Sequence, residues 1–501
     1  MEEFLLGLST AFTFQNLLIV FVGVLVGNLI GVLPGLGSAG TIALLLPITF
    51  AMPPESAIIM LAGIFYGSAY GGTITSVLLK IPGEATTIVT TFDGYQMARK
   101  GQGGVALGVS AIGSFVGGTV AIAGLLFLAA PIARLALGFG PAEYALLALV
   151  GIVLVAYLAN GGMLRGVVVA CVGLLLATVG TDPIDGTSRF TLGVPALAGG
   201  IEFTAVAMGL FGIGELLHTI EESKRHPPQS LGYGRVLPNR REMRTSTGPF
   251  ARGSVLGFLL GILPGGGATI ASMASYGVEK RVSKHPEKFG TGVIEGVAGP
   301  ETANNAAANA SFIPLLSLGI PANTTMAVIF GALMIQGITP GPQLIQTHPE
   351  VFWGVIVSMF IGNLMLLVLN IPLIHLFTRL LSAPMRFLGP LTLLVTVVGV
   401  YSVNYSVFDI WVALVFGILG YVMKKFGFEV APLALAFVLG PLLEANVRRS
   451  LLQSDGSFGV FASSPIFAVL VGGALLWAVS GWVGRRRAAA SEPEKATSAR
   501  H

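Results

Sequence analysis

Residues 31–37 of the chain read Gly-Val-Leu-Pro-Gly-Leu-Gly, and residues 261–267 read Gly-Ile-Leu-Pro-Gly-Gly-Gly. A second phrase follows each copy: residues 80–87 read Lys-Ile-Pro-Gly-Glu-Ala-Thr-Thr, and residues 319–325 read Gly-Ile-Pro-Ala-Asn-Thr-Thr. Pro34 thus corresponds to Pro264, and Pro82 corresponds to Pro321 at a slightly larger separation. The two halves are therefore colinear with small insertions, which predicts an internal duplication.

The composition is that of a membrane protein. The chain has 501 residues, of which 53% are hydrophobic and 10% charged, and its mean hydropathy is +0.82. Soluble domains contain about 25% charged residues. Apolar stretches long enough to span a bilayer recur, for example at 105–130 and 351–369. We predict an all-α polytopic integral membrane protein, with no cleavable signal peptide before the first span.

The distribution of Lys and Arg predicts that the two halves have inverted topology. The loop 47–55 after the first Leu-Pro-Gly phrase has no basic residue, whereas the corresponding loop 276–290 has four. Conversely, Arg99 and Lys100 follow the first Ile-Pro phrase, and the corresponding loop 336–350 has neither Lys nor Arg. Because basic residues concentrate on the cytoplasmic side, one half is expected to be inserted upside down relative to the other.

This topology predicts a periplasmic N-terminus and a cytoplasmic C-terminus. The excess of Lys and Arg over Asp and Glu is assigned to cytoplasmic segments, so no nucleic-acid partner is expected. Membrane lipid is expected to surround the chain. The predicted segments are repeat 1 at 10–222, a basic cytoplasmic linker at 223–252, the inverted repeat 2 at 253–450, a final transmembrane helix at 460–484, and a basic cytoplasmic tail at 485–501.

The first pair of phrases predicts broken or re-entrant helical hairpins. Proline and adjacent glycines interrupt a helix, and such a break is tolerated in a bilayer only where it is buried or lines a wet cavity. The helix that resumes would direct its N-terminal N–H groups at a bound anion. A packing hinge is the alternative for either copy alone. The candidate substrate-binding residues are Gly35, Gly37, Ser38, Gly265, Gly267 and Thr269.

The second pair of phrases supplies polar groups within apolar surroundings, where an aqueous substrate site would provide partners for them. Lys80 either neutralises a substrate carboxylate or extends to the membrane interface. The further candidate substrate-binding residues are Lys80, Thr86, Thr87, Asn323, Thr324 and Thr325. A sodium ion, which takes hard oxygen ligands, is expected near Asn304, Asn305, Asn309 and Ser311.

Several motifs are distinctive in their order and spacing: Gly31–Gly40, Tyr66–Thr73, Lys80–Thr87, Asp93-Gly94, Pro264–Gly267, Gly299–Asn305 and Gly319–Thr325. These motifs resemble the large membrane subunit of the tripartite tricarboxylate transporters, the TctA family, and the likeness runs over about residues 10–480. The resemblance implies two partners, a small four-helix TctB-like membrane subunit and a periplasmic TctC-like solute-binding protein, in the bacterial inner membrane. It also implies carboxylate import driven by Na⁺ or H⁺, without an organic cofactor.

An ion-coupled secondary importer of carboxylates such as citrate, with alternating access around a midplane site, is therefore the leading functional hypothesis. A carboxylate or anion channel is one alternative, since broken helices also build selectivity filters. A polytopic membrane enzyme is the other, but the intramembrane acids are few and scattered, so no enzymatic activity is expected. The sequence does not distinguish Na⁺ from H⁺ or name the carboxylate.

Overall fold

Helices make up nearly all the regular structure in the computed structural model. It describes residues 2–32, 37–80, 82–159, 162–182, 185–223, 233–263, 267–374, 376–377, 385–464 and 466–468. Most of the predicted final helix at 460–484, all of the tail at 485–501, and 224–232 of the linker lie outside these residues.

The α-helices follow one another with few other elements between them. In chain order they are α1 (Glu2–Ala11), α2 (Phe14–Gly31), α3 (Gly37–Thr49), α4 (Pro54–Leu79), α5 (Thr90–Arg99), α6 (Gly103–Ala136), α7 (Pro141–Leu158), α8 (Met163–Ala177), α9 (Phe203–Ala207), α10 (Gly214–Ser223), α11 (Arg240–Gly261), α12 (Gly267–Val282), α13 (Glu295–Ala310), α14 (Phe312–Leu318), α15 (Thr324–Ile335), α16 (Leu344–Thr347), α17 (Pro349–Asn370), α18 (Met385–Asn404), α19 (Val407–Lys425), α20 (Ala431–Gln453) and α21 (Gly459–Ala462).

Short elements connect some of these helices. A π-helical segment, Met208–Ile213, joins α9 to α10, and single 3₁₀ turns occur at Ala85–Thr87, Pro195–Leu197 and Pro286–Lys288. The strands β1 (Gly180–Thr181) and β2 (Ser188–Arg189) pair antiparallel. This small hairpin, which an Asp182–Arg189 ion pair joins at its base, was not predicted from the sequence.

The prediction of an all-α polytopic membrane protein is confirmed. Within the described residues, seven helices are long and apolar enough to cross a membrane: Phe14–Gly31, Pro54–Leu79, Gly103–Ala136, Phe203–Glu221, Pro349–Asn370, Val407–Lys425 and Ala431–Gln453. Others are shorter. α3 has 13 residues and is therefore about 20 Å long, which is less than the roughly 30 Å hydrocarbon core of a bilayer. α15, with 12 residues, is equally short.

Two helix pairs pack through stripes of glycine at the same spacing. Gly23, Gly27 and Gly31 of α2 face the backbone of α4 at Met60, Ile64 and Ser68. In the other pair, α11 packs on α13. Gly253 faces Gly299 and Thr302, Gly257 faces Ala303, and Gly261 faces Ala307.

These contacts follow the numbering of the duplicated phrases. The glycines of the two stripes are separated by the same interval as Pro34 and Pro264, and the residues that they face are separated by the same interval as Pro82 and Pro321. A methyl group added at any of the six glycines would lie under 3.0 Å from a backbone atom of the facing helix. Glycine is therefore required for both pairs to pack this closely, as small residues are in membrane helices generally.

The core lies around α4 and α13. From Ser56 to Leu78 every residue of α4 is buried, and from Gly296 to Ala310 every residue of α13 is buried. Because these two helices carry hydroxyls, amides and a carboxylate into the interior, their polar groups require partners there. They are the elements that position the candidate site.

The chain forms two compact units. The larger comprises Met1–Gly138 and Gly151–Gly440, and it contains both glycine-packed helix pairs. The smaller comprises Phe139–Val150 and Pro441–His501. Within the smaller unit the Glu143 carboxylate accepts a hydrogen bond from the Gly140 N–H at 2.8 Å, which caps the start of α7.

Candidate functional site

The glycines that begin α3 and α12 have different surroundings. Gly37 has a φ of +58°, and apart from its chain neighbours no atom of the described residues lies within 4 Å of the point where its side chain would begin. At Gly267 a methyl group would lie 2.6 Å from the Leu260 carbonyl oxygen. Gly37 is thus needed for a left-handed backbone that faces open space, whereas Gly267 is needed for close packing against α11. Gly35 and Gly265 lie outside the described residues.

Ser38 and Thr325 join the first turn of α3 to the first turn of α15. Both side chains are buried, and their hydroxyl oxygens are 2.9 Å apart although the two residues are far apart in the sequence. α12 packs correspondingly against the Ala85–Thr87 turn. Each half of the chain therefore places the helix after its first break against the second broken phrase of the other half.

The first turn of α3 holds a carboxylate, and it comes from the chain itself. Glu84 accepts a hydrogen bond from the Ser68 hydroxyl and lies beside the Ser38 hydroxyl and backbone N–H. The first N–H groups of a helix have no partner within the helix, and its dipole favours negative charge there. A bound substrate carboxylate was expected at this place, whereas Glu84 was not predicted to lie there.

Asn323 is the equivalent of Glu84 in the other half of the chain, and this correspondence could have identified Glu84 as a site residue from the sequence. Asn323 follows Pro321 as Glu84 follows Pro82, and each of the two residues is the N-cap of the helical turn after it. The Asn323 side-chain oxygen accepts from the Met326 N–H at 2.9 Å. Lys80 and Gly319, which also correspond, end the preceding helices with φ values of 60° and 71°.

Thr86 is the equivalent of Thr325, but its hydroxyl is unpaired. This oxygen is buried and has no hydrogen-bond partner in the described part of the chain. The sequence explains the difference. Thr325 pairs with the Ser38 hydroxyl, but the position that corresponds to Ser38 after the second Leu-Pro-Gly phrase is Ala268, which has no hydroxyl to pair with Thr86. A buried hydroxyl without a partner costs about 1–3 kcal/mol, so Thr86 offers a hydrogen bond to a ligand. Thr269, the next residue of α12, is half-buried.

The other residues of the second phrases have distinct surroundings. Thr324 is half-buried at the start of α15. Thr87 is buried, and its hydroxyl accepts from the Ser76 hydroxyl at 2.8 Å, so this side chain stabilises the turn. Lys80 is exposed, and its ammonium lies 5.8 Å from the centre of the Tyr95 ring. The structure therefore does not bring the Lys80 charge to Ser38 and Thr325.

The polar residues of α13, where a sodium ion was expected, leave several oxygens unpaired. Asn305 donates to the Ser114 hydroxyl at 2.7 Å, and Asn309 donates to the Asn305 carbonyl at 2.8 Å. The side-chain oxygens of Asn304, Asn305 and Asn309 have no hydrogen-bond partner among the described residues. Ser311 donates to the Ala308 carbonyl at 2.6 Å. These buried amide oxygens suit a hard cation in their chemistry.

A fully buried carboxylate, Glu301, lies one turn before these amides. It accepts hydrogen bonds from the hydroxyls of Thr73 and Thr90, which come from the other half of the chain. Glu301 was not among the site residues predicted from the sequence. The signal available was its position as the one acid in the phrase 299–305, Gly-Pro-Glu-Thr-Ala-Asn-Asn.

Comparison with known proteins identifies the family. A family model described as "Tripartite tricarboxylate transporter TctA family" matches residues 17–435. An Agrobacterium vitis protein, "Uncharacterized 52.8 kDa protein in TAR-I ttuC' 3'region", is 50% identical over 469 residues, which cover 93% of each chain. Another from the same organism, "Uncharacterized protein in TAR-II ttuC' 3'region", is 56% identical over 216 residues, covering 43% of this chain and 89% of that one. No solved structure matches the chain.

The family match extends over both copies of each duplicated phrase and over the helices that position Ser38, Thr325 and Glu301. The TctA family is a transporter family, the large subunit of tripartite tricarboxylate transporters, which function with TctB and TctC partners. This agrees with the apolar helices found here, which indicate an integral membrane protein. The chain is a member of the tripartite tricarboxylate transporter TctA family.

Proposed function

We propose that this chain imports organic carboxylates, such as citrate and other tricarboxylates, as the permease subunit of an ion-coupled, binding-protein-dependent system. The observation that carries the proposal is the contact between Ser38 and Thr325, whose hydroxyl oxygens lie 2.9 Å apart, next to the Glu84 carboxylate at the start of α3. The position of Glu84 supports a carboxylate-binding role for this helix N-terminus. A substrate carboxylate that replaces Glu84 would accept hydrogen bonds from the same Ser38 groups.

The polar groups around the contact between Ser38 and Thr325 could donate hydrogen bonds to the other carboxylates of a di- or tricarboxylate. Thr86 has an unpaired hydroxyl within the described part of the chain, and Asn323 and Thr324 lie half-buried on the turn that carries Thr325. Thr269 lies on the first turn of α12, which packs against the Thr86 turn. These groups carry no formal charge, so a cation bound nearby, Na⁺ or H⁺, would offset the charge of the anion and couple its movement to an ion gradient.

The duplicated architecture supports a mechanism of alternating access. The correspondence between the two halves recurs in the glycine stripes and in the N-caps at Glu84 and Asn323. Inverted repeats, which the distribution of basic residues predicts, would hold a shared site near the bilayer midplane, where each half closes one side of the site in turn. A TctC-like binding protein would deliver the carboxylate from the periplasm, and a TctB-like subunit would complete the permease in the bacterial inner membrane.

Replacement of Ser38 with alanine tests the placement of the substrate carboxylate. A hydrogen bond to a charged group contributes roughly 1.5–3 kcal/mol, so we expect the KM for uptake to rise about tenfold or more. The measurement is uptake of radiolabelled citrate by proteoliposomes that contain the chain and both partner subunits, with other di- and tricarboxylates as competitors.

Ser254→Ala is the matched control for Ser38→Ala. Ser254 is also buried, and its hydroxyl donates to the Phe250 carbonyl of its own helix at 2.8 Å. We expect this variant to keep the wild-type KM. If Ser38→Ala also keeps it while the protein folds normally, the substrate carboxylate binds elsewhere.

Cysteine labelling tests the inverted topology. Cys171 is exposed and is first replaced with alanine. Because the basic residues are assigned to the cytoplasm, a membrane-impermeant maleimide added to intact spheroplasts should label Glu55→Cys and Glu350→Cys. It should not label Gln102→Cys or Glu287→Cys until the membrane is permeabilised. Labelling of Glu55→Cys and Glu287→Cys from the same side would contradict the inverted arrangement.

A further inference from the structure

Asp93 joins the two halves of the chain. It lies on the first turn of α5, and its carboxylate is completely buried. Three backbone N–H groups of the loop before α13, those of Gly290, Gly292 and Val293, donate to the carboxylate at 3.0, 2.7 and 2.9 Å. The Tyr276 hydroxyl of α12 donates to its Oδ2 at 2.9 Å. Four donors from the second half of the chain therefore hold one carboxylate of the first half.

Glycines shape this loop around the carboxylate. Gly290 and Gly292 have φ values of +87° and +102°, and left-handed residues of this kind let neighbouring N–H groups converge on an anion. A side chain at Gly292 would begin 3.1 Å from the Met97 backbone nitrogen, and one at Gly296 would collide with the Asp93 carboxylate. The loop therefore encloses the carboxylate too closely for larger residues to fit.

Further contacts strengthen the same junction. The Lys100 ammonium donates to the Thr291 carbonyl oxygen at 2.6 Å. The Tyr276 ring lies edge-on to the rings of Phe92 and Phe289, with centroids 5.8 and 5.4 Å apart. Because backbone and aromatic rings shield the carboxylate from water, its hydrogen bonds are stronger than they would be in solvent.

The corresponding junction of the other two helices lacks these groups. Counted from the duplicated phrases, the equivalents of Tyr276 and Asp93 are Leu46 of α3 and Ala332 of α15, whose side chains form no hydrogen bonds. The ends of α15 and α3 are joined by a neutral hydrogen bond, which the Gln336 side chain donates to the last carbonyl of α3 at 2.7 Å. The junction at Asp93 is therefore the stronger of the two, because hydrogen bonds to a charged group contribute more.

The position of the Asp93 junction in the chain relates it to the candidate site. α5 begins just after the Ala85–Thr87 turn, against which α12 packs, and it ends at the basic residues Arg99 and Lys100. The loop that holds Asp93 continues the basic segment 276–290. Both basic segments are assigned to the cytoplasm. The junction is therefore expected to lie between the candidate site and the cytoplasm.

We propose that Asp93, Tyr276 and the loop 290–293 form a latch that keeps the cytoplasmic side of the empty transporter closed. The proposal rests on carboxylate import by alternating access. Because the equivalent junction on the predicted periplasmic side is weaker, the empty chain exposes its site to the periplasm, where a binding protein delivers the substrate. Release into the cytoplasm requires the loop to leave Asp93, which positions the loop and does not touch the substrate.

A cysteine at Ser272 reports whether the latch is open. Ser272 is completely buried in α12, one turn before Tyr276, and its hydroxyl has no hydrogen-bond partner in the described part of the chain. Ser272→Cys is made together with Cys171→Ala and produced with both partner subunits. Inside-out membrane vesicles are then treated with a membrane-impermeant thiosulfonate reagent, which reaches Ser272→Cys from the predicted cytoplasmic face. We expect slow modification while the latch is closed.

Two variants weaken the latch to different extents. Asp93→Asn keeps the size of the side chain and removes its charge, so we expect the rate of modification to rise about tenfold or more. Tyr276→Phe removes one donor and keeps the ring contacts with Phe92 and Phe289. It should raise the rate by a smaller factor, about threefold, and it keeps the test decisive if Asp93→Asn fails to fold.

Glu242→Gln is the matched control. The Glu242 carboxylate also accepts a backbone N–H, that of Asn239 at 2.6 Å, but this bond lies within the linker and joins no two halves. The control should leave the rate of modification unchanged. An unchanged rate in both Asp93→Asn and Tyr276→Phe, or a rise that is found only in right-side-out vesicles, would overturn the latch.

The labelling does not depend on which substrate is carried, so its outcome is separate from that of the proposed function. Wild-type proteoliposomes that accumulate citrate, combined with latch variants that label at the parent rate, would leave carboxylate import intact and overturn the latch. Faster labelling of the latch variants, combined with no accumulation of any carboxylate by the wild type, would support the latch and overturn carboxylate import.

Discussion

Valine at Gly27 or Gly257 is expected to prevent the chain from accumulating as a folded protein. At each position the new side chain would begin under 3.0 Å from backbone atoms of the facing helix, at Ile64 and Ala303 respectively. Because the backbone cannot yield as a flexible side chain can, we expect a loss of about 3 kcal/mol of stability, the upper end of the usual cost of overpacking. Yield in the membrane fraction and thermal denaturation of the detergent-solubilised protein measure this.

Gly277→Val is the control for general effects of valine in a helix. Gly277 lies in α12, and no atom is found within 4 Å of the place where its side chain would begin. This variant should differ from the wild type only by the propensity difference, a gain of a few tenths of a kcal/mol. Normal yield and melting temperature for Gly27→Val or Gly257→Val would show that the helix pairs are not packed as described.

Valine at Gly37 is expected to abolish transport while leaving the protein folded and inserted. The backbone of Gly37 is left-handed, with a φ of +58°, and its surroundings are open. A β-branched residue is strained there, and its side chain would project into the space that the substrate carboxylate needs to reach the Ser38 N–H. We expect uptake to fall by about 100-fold or more, which corresponds to roughly 2.7 kcal/mol.

Gly101→Val separates backbone strain from blocked access. Gly101 also has a positive φ, +75°, and open surroundings, but it lies in the loop between α5 and α6. This variant should fold somewhat less stably and transport at a near wild-type rate. Equal activity in Gly37→Val and Gly101→Val would mean that the start of α3 does not bind substrate. Gly267→Val is less informative, because its methyl groups would first collide with α11.

The sequence predicted the helical membrane fold and the pairing of the broken phrases, because composition and repeated turn chemistry are local properties. The helix ends at Lys80 and Gly319 lie at the predicted breaks, and both have left-handed φ values. The glycines of α2 and α11 correspond in the same way as the first pair of phrases. The assignment of these segments to inverted repeats with a common site remains a prediction.

The contacts that define the candidate site were less accessible to sequence reasoning. Glu84 reaches Ser38 only because α3 and the turn after α4 are adjacent in space, and neither local pattern specifies that adjacency. The same holds for Glu301, whose hydroxyl partners Thr73 and Thr90 lie in the other half of the sequence. Lys80 shows a second reason. Its place in a polar phrase did not determine where its long side chain would point.

The most direct test of the account is net accumulation of a carboxylate by proteoliposomes that contain this chain and its two partner subunits. The substrate is chosen as the di- or tricarboxylate that most stabilises the binding protein in a thermal-shift panel. The account predicts accumulation above the external concentration under an imposed ion gradient, collapse when the matching ionophore is added, and counterflow exchange without a gradient. Uptake that only equilibrates and shows no counterflow would indicate a channel and contradict the account.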